Sequence, residues 1–276
     1  MADSGAKAMG SLYDLLLDFV DTARVHDSNY EIAHRLLEDY GQLSGLSLRQ
    51  MSELCYTSQA SFSRFCRFLG FESFAEFKEA IVGVNYRLAD DYTREFQLML
   101  GRDEHQAICT YRTSLLSLLS ETLDDESFEA VPELLAEIEA ASRVAFFSHH
   151  FLWHIGRYFQ GKLLQLGRYV ELYQSFEHQW EAAQSLGEGD LAIICSVNGS
   201  YLSHYQDIVC SIFSSGAKVA LITQNRHAMY LSRADHVLYC GTTNENDMGK
   251  YAALMTIDYL VMSYRQRLLD KEGHHE

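Results

Sequence analysis

Apolar positions follow two different rhythms along this chain, and the rhythm changes near residue 143. Leu12, Leu15, Leu16, Phe19 and Val20 make one helical stripe. Ile32, Ala33, Leu36 and Leu37 make another, so residues 11–46 read as helical until Gly41–Gly45 breaks the pattern. Leu48, Met51, Leu54 and Cys55 then share one face of a short helix, with Ser47 and Gln50 spaced as a capping box. A turn falls at Tyr56–Thr57. Ser58 is placed to cap a second helix running to about Leu69, stopped by Gly70. Phe62, Phe65, Cys66 and Leu69 are its inward positions. The pattern continues as a helix from Phe74 to about Leu88, with Phe77, Ala80, Ile81 and Val84 inward. Residues 90–141 read as connecting helices built on Leu115, Leu116, Leu118 and Leu119, then on Phe128, Leu134, Leu135 and Ile138. The single proline, Pro132, is expected in the first turn of the last of these.

From residue 143 short apolar runs alternate with helical stretches. Val144–Phe147, Tyr169–Tyr173, Leu191–Cys195, Lys218–Thr223 and His236–Tyr239 read as strands. Helices are predicted over about Leu152–Leu166, His178–Ser185, Tyr201–Ser214 and Tyr251–Leu269, with a helical segment near Met229–Ser232. Gly167, the Gly187–Asp190 turn and Ser215–Ala217 separate them. Strands alternating with helices predict a parallel sheet covered on both faces, so the expected class is α/β overall with an all-α N-terminal domain. The predicted organisation is 1–88, a helical linker 89–142, and 143–276.

Composition narrows the class. At 47% hydrophobic and 22% charged residues, the chain is globular. It has no apolar run near the ~18 residues of a membrane span. Residues 1–10 lack a signal-peptide pattern, so the reading is cytoplasmic, with no membrane partner. Six cysteines without a CxxC pair read as free thiols, and no metal or cofactor is implied.

The two short helices at 48–69 have the layout of a DNA-reading helix-turn-helix. Gln59, Ala60, Ser61, Ser63, Arg64 and Arg67 face outward on the second helix. Small and amide side chains there suit base edges in the major groove, while Ser58, Arg64 and Arg67 suit phosphate oxygens, and Arg49 on the first helix is a further DNA-binding candidate. The alternative is an amphipathic helical hairpin with no DNA role. Net charge is −16, which opposes non-specific binding to nucleic acid. Residues 47–80 are balanced, however: Arg49, Arg64, Arg67 and Lys78 offset Glu53, Glu72, Glu76 and Glu79.

In a parallel α/β sheet, ligands sit at the carboxyl ends of strands. That brings three loops together: Ser148–Leu152, Ser196–Tyr201 and Thr223–Asn225. Candidate ligand residues are Ser148, His149, His150, Ser196, Asn198, Gly199, Ser200, Tyr201 and Thr223. The 196–201 loop offers hydroxyls, an amide and a glycine at a helix start, the chemistry of an anion site. An ordinary strand-to-helix turn uses the same residue types.

Thr57-Ser58-Gln59-Ala60-Ser61-Phe62-Ser63-Arg64-Phe65-Cys66-Arg67-Phe68-Leu69-Gly70-Phe71, followed by Phe74-Ala75-Glu76-Phe77-Lys78, closely resembles the helix-turn-helix of RpiR-type (MurR/RpiR) bacterial transcriptional regulators. Residues 143–269 resemble the sugar isomerase (SIS) domain those regulators carry. The marks are Lys162-Leu163, Leu166-Gly167, Glu177-His178-Gln179, Gly189-Asp190 and Ala234-Asp235. The resemblance implies a homo-oligomer, dimer or tetramer, that binds double-stranded operator DNA. It also implies that the SIS domain senses a phosphosugar or related metabolite.

Both ligand loops depart from the SIS pattern. Where the first usually reads Gly-x-Gly-x-Ser, Ser148, His150 and Leu152 stand here. Where the second usually reads Ser-x-Ser-Gly-x-Thr, the chain has Ser196-Val197-Asn198-Gly199-Ser200-Tyr201. The site is therefore open to a different ligand, or to none. His150 and His154 are spaced i, i+4 for a metal but lack an evident third ligand. Protonated imidazoles of His149 and His150 are a second option, as anion partners in place of the missing glycines. Loop histidines without a role are the third.

Three readings follow: a regulator with a sensor domain, a regulator whose SIS domain serves only assembly or another effector, and a sugar-phosphate isomerase. The last needs a positioned general base, and the spacing of Glu177, His178 and His227 singles out none.

Overall fold

The computed structural model describes residues 12–83 and 91–272. The inward position Val84, the predicted helix end at Leu88, residues 1–10 and the tail histidines His274 and His275 lie outside the described residues. The chain divides into two compact units, 1–87 and 88–276.

The first unit is all-helical: α1 (Leu12–Thr22), α2 (Ser28–Glu38), α3 (Leu48–Leu54), α4 (Gln59–Phe68) and α5 (Phe74–Gly83), with a 3₁₀ turn over Tyr40–Gly45. Asp27 starts α2 by accepting the N–H groups of Asn29 and Tyr30 at 2.9 and 3.0 Å. The apolar stripes meet in one core that includes Leu12, Leu16, Ile32, Leu36, Met51, Phe62, Phe65, Phe71 and Phe77. Phe62 and Phe71 meet Phe77 edge-on at 5.7 and 5.3 Å, the favoured aromatic geometry.

The second unit opens with α6 (Arg94–Arg102), α7 (Glu104–Ser120) and α8 (Asp125–Ala140). Leu118 of α7 and Val131, Leu134, Leu135 and Ile138 of α8 lie in the core of this unit. Pro132 falls inside α8, not in its first turn. Asp124, whose side chain accepts from Ser127 N, caps the helix earlier than the apolar pattern indicates. Pro132 offers no N–H to the carbonyl of Phe128, and it sits on the exposed face, where water can serve that carbonyl.

The sheet then forms from β1 (Val144–Phe147), β2 (Glu171–Leu172), β3 (Leu191–Cys195), β4 (Lys218–Thr223) and β5 (His236–Tyr239). Its order is β2-β1-β3-β4-β5, and every neighbouring pair is parallel. The Tyr169–Tyr173 run contributes only the two residues of β2. Between the strands lie α9 (Phe151–Gln165), α10 (Phe176–Ser185), α11 (Ser200–His204) and α12 (Gln206–Ser214), and α13 (Gly249–Glu272) closes the chain. The helix expected over Tyr201–Ser214 is split at Tyr205, whose φ of −111° and ψ of 47° are not helical. Near Met229–Ser232 there is a 3₁₀ turn over Leu231–Arg233.

Alternation along the strands builds two cores. Val144, Phe146, Ile193, Cys195, Ala220 and Ile222 face α7, α8, α9 and α13. Ala145, Phe147, Ala192, Ile194, Val219 and Leu221 face α10, α11 and α12. Helix α9 comes very close to β1 at Gly156, where an added Cβ would meet the Phe146 ring at 2.6 Å. Chain direction across the sheet reverses between β1 and β3, so the loops leaving those two strands open a crevice at their carboxyl ends.

Candidate functional site

The helix-turn-helix is fixed by its caps. Ser47 and Gln50 exchange the capping-box bonds at the start of α3. Its end is a Schellman turn: Tyr56 N donates to Glu53 O at 3.1 Å and Thr57 N to Ser52 O at 2.9 Å. Tyr56 occupies the left-handed position (φ 51°) with a side chain 89% exposed. Ser58 then caps α4 through Ser61 N at 3.1 Å.

Phe62, Phe65 and Cys66 bury the inner face of α4. Ser58, Gln59, Ala60, Arg64 and Arg67 are exposed, and Ser61 and Ser63 are half-buried. Ser61 Oγ lies 3.0 Å from Ser58 Oγ and accepts from Arg64 Nη2 at 2.9 Å, so this hydroxyl is engaged along the helix. The outward face of α4 therefore presents Gln59, Ala60, Ser63, Arg64 and Arg67. The helix holds two arginines and no carboxylate, within a chain of net charge −16. Arg49 pairs with Glu53 at 2.8 Å, an exposed pair that costs little to open. Burial pushes the Cys55 and Cys66 thiols up to about 12, which marks them as core fillers.

In the second unit the three predicted loops do converge. Thr223 Oγ1 donates to Val197 O at 3.2 Å, Gln224 N donates to the same oxygen at 2.8 Å, and Asn225 Nδ2 donates to Asn198 O at 3.1 Å. Ser200 Oγ lies 3.3 Å from His149 Nε2, tying the β3 loop to the β1 loop. Gly199 takes φ 86°, and a Cβ there would press on Asn225 at 3.1 Å.

The 196–201 loop spends its amides on itself. Asn198 Oδ1 accepts from Ser200 N at 3.0 Å and Ser196 Oγ accepts from Tyr201 N at 3.1 Å. Helix α11, which follows, is only five residues long. Tyr201 turns inward, fully buried, and donates its hydroxyl to Gln179 Oε1 at 2.6 Å. Gln179 Nε2 in turn donates to Ser148 O at 3.1 Å. Gln179 and Gln224 are buried polar residues outside the candidate set. The Glu177-His178-Gln179 string was the only sequence signal for the first.

His149 stacks on Tyr201 with ring centroids 5.6 Å apart and tilts against Tyr205 at 5.4 Å. Burial, then the neighbouring His150 and His204, pushes its pKa down to about 3. The imidazole is neutral at physiological pH, so it does not take over anion binding by carrying charge. His150 is exposed and holds φ 50°, ψ −135°, a backbone state natural to glycine. This is the position where the SIS pattern has its second glycine. The backbone at this position is thus one that favours glycine, although a histidine occupies it.

Ser148 Oγ, His149 Nδ1 and Gln224 Oε1 are buried with no hydrogen-bond partner among the described residues. Native interiors seldom leave such atoms orphaned, and loops at a strand-end crevice are where water or ligand would serve them. Glu177, His178 and His227 are exposed, and Ser175 Oγ lies 3.0 Å from His178 Nδ1. Among the described residues no three His, Cys, Asp or Glu side chains group as a metal site.

Comparison with known proteins finds a sequence match in the first unit and fold similarity that extends over the second. Residues 21–84 match the helix-turn-helix domain of the rpiR family. Over 257 residues the chain is 24% identical to an uncharacterized HTH-type transcriptional regulator of Haemophilus influenzae, covering 91% of this chain and 83% of the relative. The fold is similar to that of the Vibrio vulnificus NanR protein complexed with ManNAc-6P. That match has a TM-score of 0.50 at 15% identity, over 94% of each chain. It is also similar to the c3406 protein of E. coli CFT073, solved in complex with a phosphosugar. Here the TM-score is 0.50 at 15% identity, over 63% of this chain and 98% of the other.

Proposed function

We propose that this chain, an rpiR-family helix-turn-helix protein with a SIS-type α/β unit, is a bacterial transcriptional regulator that senses a sugar metabolite and is not an enzyme. DNA binding is assigned to residues 1–88 and effector binding to 143–276, with the helices between them bracing the sheet. The protein works in the cytoplasm as a homo-oligomer on double-stranded operator DNA. No helix among the described residues is long and apolar enough to cross a membrane.

The observation that carries the DNA half is α4: two arginines, small polar groups and a glutamine stand outward on a helix held by three buried residues. Its first turn suits base edges, and Arg49, Ser58, Arg64 and Arg67 suit phosphates. Paired recognition helices would read half-sites about 34 Å apart or a multiple of that.

The effector half rests on the orphaned polar atoms at the ends of β1 and β4. One similar fold was solved with ManNAc-6P and another with a phosphosugar of its own, and the crevice lies where such ligands bind in parallel α/β sheets. Neutral hydroxyl, amide and imidazole groups line it, the chemistry that recognises sugar hydroxyls. An effector that binds two states of the protein unequally shifts operator occupancy by that difference, and DNA shifts effector affinity by the same factor. Isomerisation is the weaker reading, because it needs a positioned general base and the candidates Glu177, His178 and His227 are all solvent-exposed.

A thermal-shift screen against sugar phosphates, amino-sugar phosphates and neutral sugars tests the effector. A ligand at 100 times its Kd should add about 2.7 kcal/mol of stability. Ser200→Ala should remove the shift while leaving operator binding intact. Ser196→Ala is the poorer probe, because Ser196 caps Tyr201 N and shapes the loop. No shift with any compound, in a protein that binds operator, would leave the SIS-type unit an assembly module.

A further inference from the structure

Helix α13 is apolar on two opposite sides. One side is core: Ala252, Ala253, Ile257, Leu260 and Tyr264 are buried. On the other, Tyr251, Met255, Met262 and Leu269 are exposed, Met262 by 61%. Their spacings of four, seven and seven residues are completed by Asp258 and Arg265, giving an unbroken 4-3-4-3-4 series. At 3.6 residues per turn all six fall within about 40° of one line, opposite Leu260, over about 27 Å of helix. An amphipathic surface helix would carry polar residues on this side. The stripe instead has the heptad rhythm of a helix that meets another helix.

We infer that this stripe is the contact face for a second copy of this chain, in an antiparallel two-fold crossing near Met262; the inference rests on the homo-oligomer reading above. The charges select the partner and the direction. Asp258 lies one turn before Met262 and Arg265 one turn after it, so the two charges flank the crossing at nearly equal distances. In an antiparallel pair each Asp258 faces the Arg265 of the other copy, twice over. A parallel pair would set Asp258 against Asp258 and Arg265 against Arg265. A two-fold interface has to be complementary to itself, and this stripe is. Asp258 is held in place by Tyr158 of α9, whose hydroxyl donates to Asp258 Oδ1 at 2.5 Å. The two charges sit between methionines, adaptable side chains suited to packing at a helix crossing.

The test is sedimentation equilibrium of the full chain. The parent should dimerise. Met262→Lys, which sets two lysines together at the two-fold, and Arg265→Asp, which breaks two symmetry-related charge pairs, should each raise the dimer dissociation constant about a hundredfold. Unchanged circular dichroism would show that the variants are folded. The double variant Asp258→Arg/Arg265→Asp should recover most of the loss, because it exchanges the charges without removing the pairing. If the parent dimerises and neither single variant weakens it, α13 is not the contact face, while the homo-oligomer reading stands. If the single variants dissociate and the double variant stays apart, the antiparallel register is wrong. A parent that is monomeric at tens of micromolar, with and without operator DNA, would overturn the homo-oligomer reading and this face with it.

Discussion

Tyr201 and Gln179 are joined by a 2.6 Å hydrogen bond in the interior of the second unit, and that bond organises the floor of the crevice. Tyr201 leaves the β3 loop, Gln179 sits on α10, and Gln179 passes the connection on to Ser148 O at the end of β1. Three elements at the switch point of the sheet are thus held by one buried polar chain. Tyr201→Phe keeps the ring and leaves Gln179 Oε1 buried without a donor. The expected cost is about 1–3 kcal/mol. Calorimetry should show the transition of the second unit lowered by several degrees. An unchanged transition would mean that Gln179 finds another donor.

His149 should make stability depend on acid. Its folded pKa is pushed down to about 3 by burial, while unfolded histidine titrates near 6.5. Between those limits the unfolded state binds the extra proton, so stability rises with pH across the window and falls as pH drops through it. The expected contribution is up to about tenfold per pH unit in the unfolding equilibrium constant. Urea denaturation from pH 7 to pH 4 measures it. His149→Asn should flatten this part of the profile.

The strand pattern by itself made the sheet legible. Val144–Phe147, Leu191–Cys195 and Lys218–Thr223 are continuous apolar or near-apolar runs because both faces of a parallel sheet are covered, while the edge strand His236–Tyr239 alternates buried and half-buried positions. What composition hid was the end of each element. Pro132 reads as a helix start, but Asp124 caps α8 earlier. Tyr205 breaks a stretch that looks like one helix from Tyr201 to Ser214. At the crevice the sequence located the loops but not the inward turn of Tyr201 or its buried glutamine partner. Side-chain direction after a strand depends on tertiary space that local pattern does not encode. Tyr56 reads in the sequence only as a turn residue, since nothing in its type predicts that a tyrosine takes a left-handed position suited to glycine.

His150 stores backbone strain at the place where the SIS pattern has a glycine. With φ 50° and ψ −135°, it occupies a state that costs of order 1–3 kcal/mol for a residue with a Cβ. His150→Gly should therefore stabilise the second unit by about 1 kcal/mol net, after the extra freedom of glycine in the unfolded chain is subtracted. Urea denaturation at neutral pH checks this. The same variant places a glycine where the SIS pattern has one and opens space beside the loop backbone, so its thermal-shift response to sugar phosphates should grow relative to neutral sugars. A destabilised variant would show that the imidazole contributes packing beyond its edge contact with His149, whose ring centroid lies 4.6 Å away.

Arg64 and Arg67 should account for the salt dependence of operator binding. Both are exposed on α4, one turn apart, on the side opposite Phe62, Phe65 and Cys66. Removing one arginine from a phosphate should reduce the slope of log K against log salt by about 0.9. Arg67→Ala should thus weaken binding to all sequences alike and flatten the slope by about one. Arg64 also donates to Ser61 Oγ at 2.9 Å, so Arg64→Ala should release its phosphate and loosen the first turn of the helix. Gln59→Ala should behave differently, relaxing discrimination between operator variants with the salt slope unchanged, because amide side chains read base edges and release no counterions. Fluorescence anisotropy with operator and mismatched duplexes at salt from about 50 to 200 mM separates the two behaviours. If Arg67→Ala leaves both affinity and slope intact, α4 does not face the phosphate backbone.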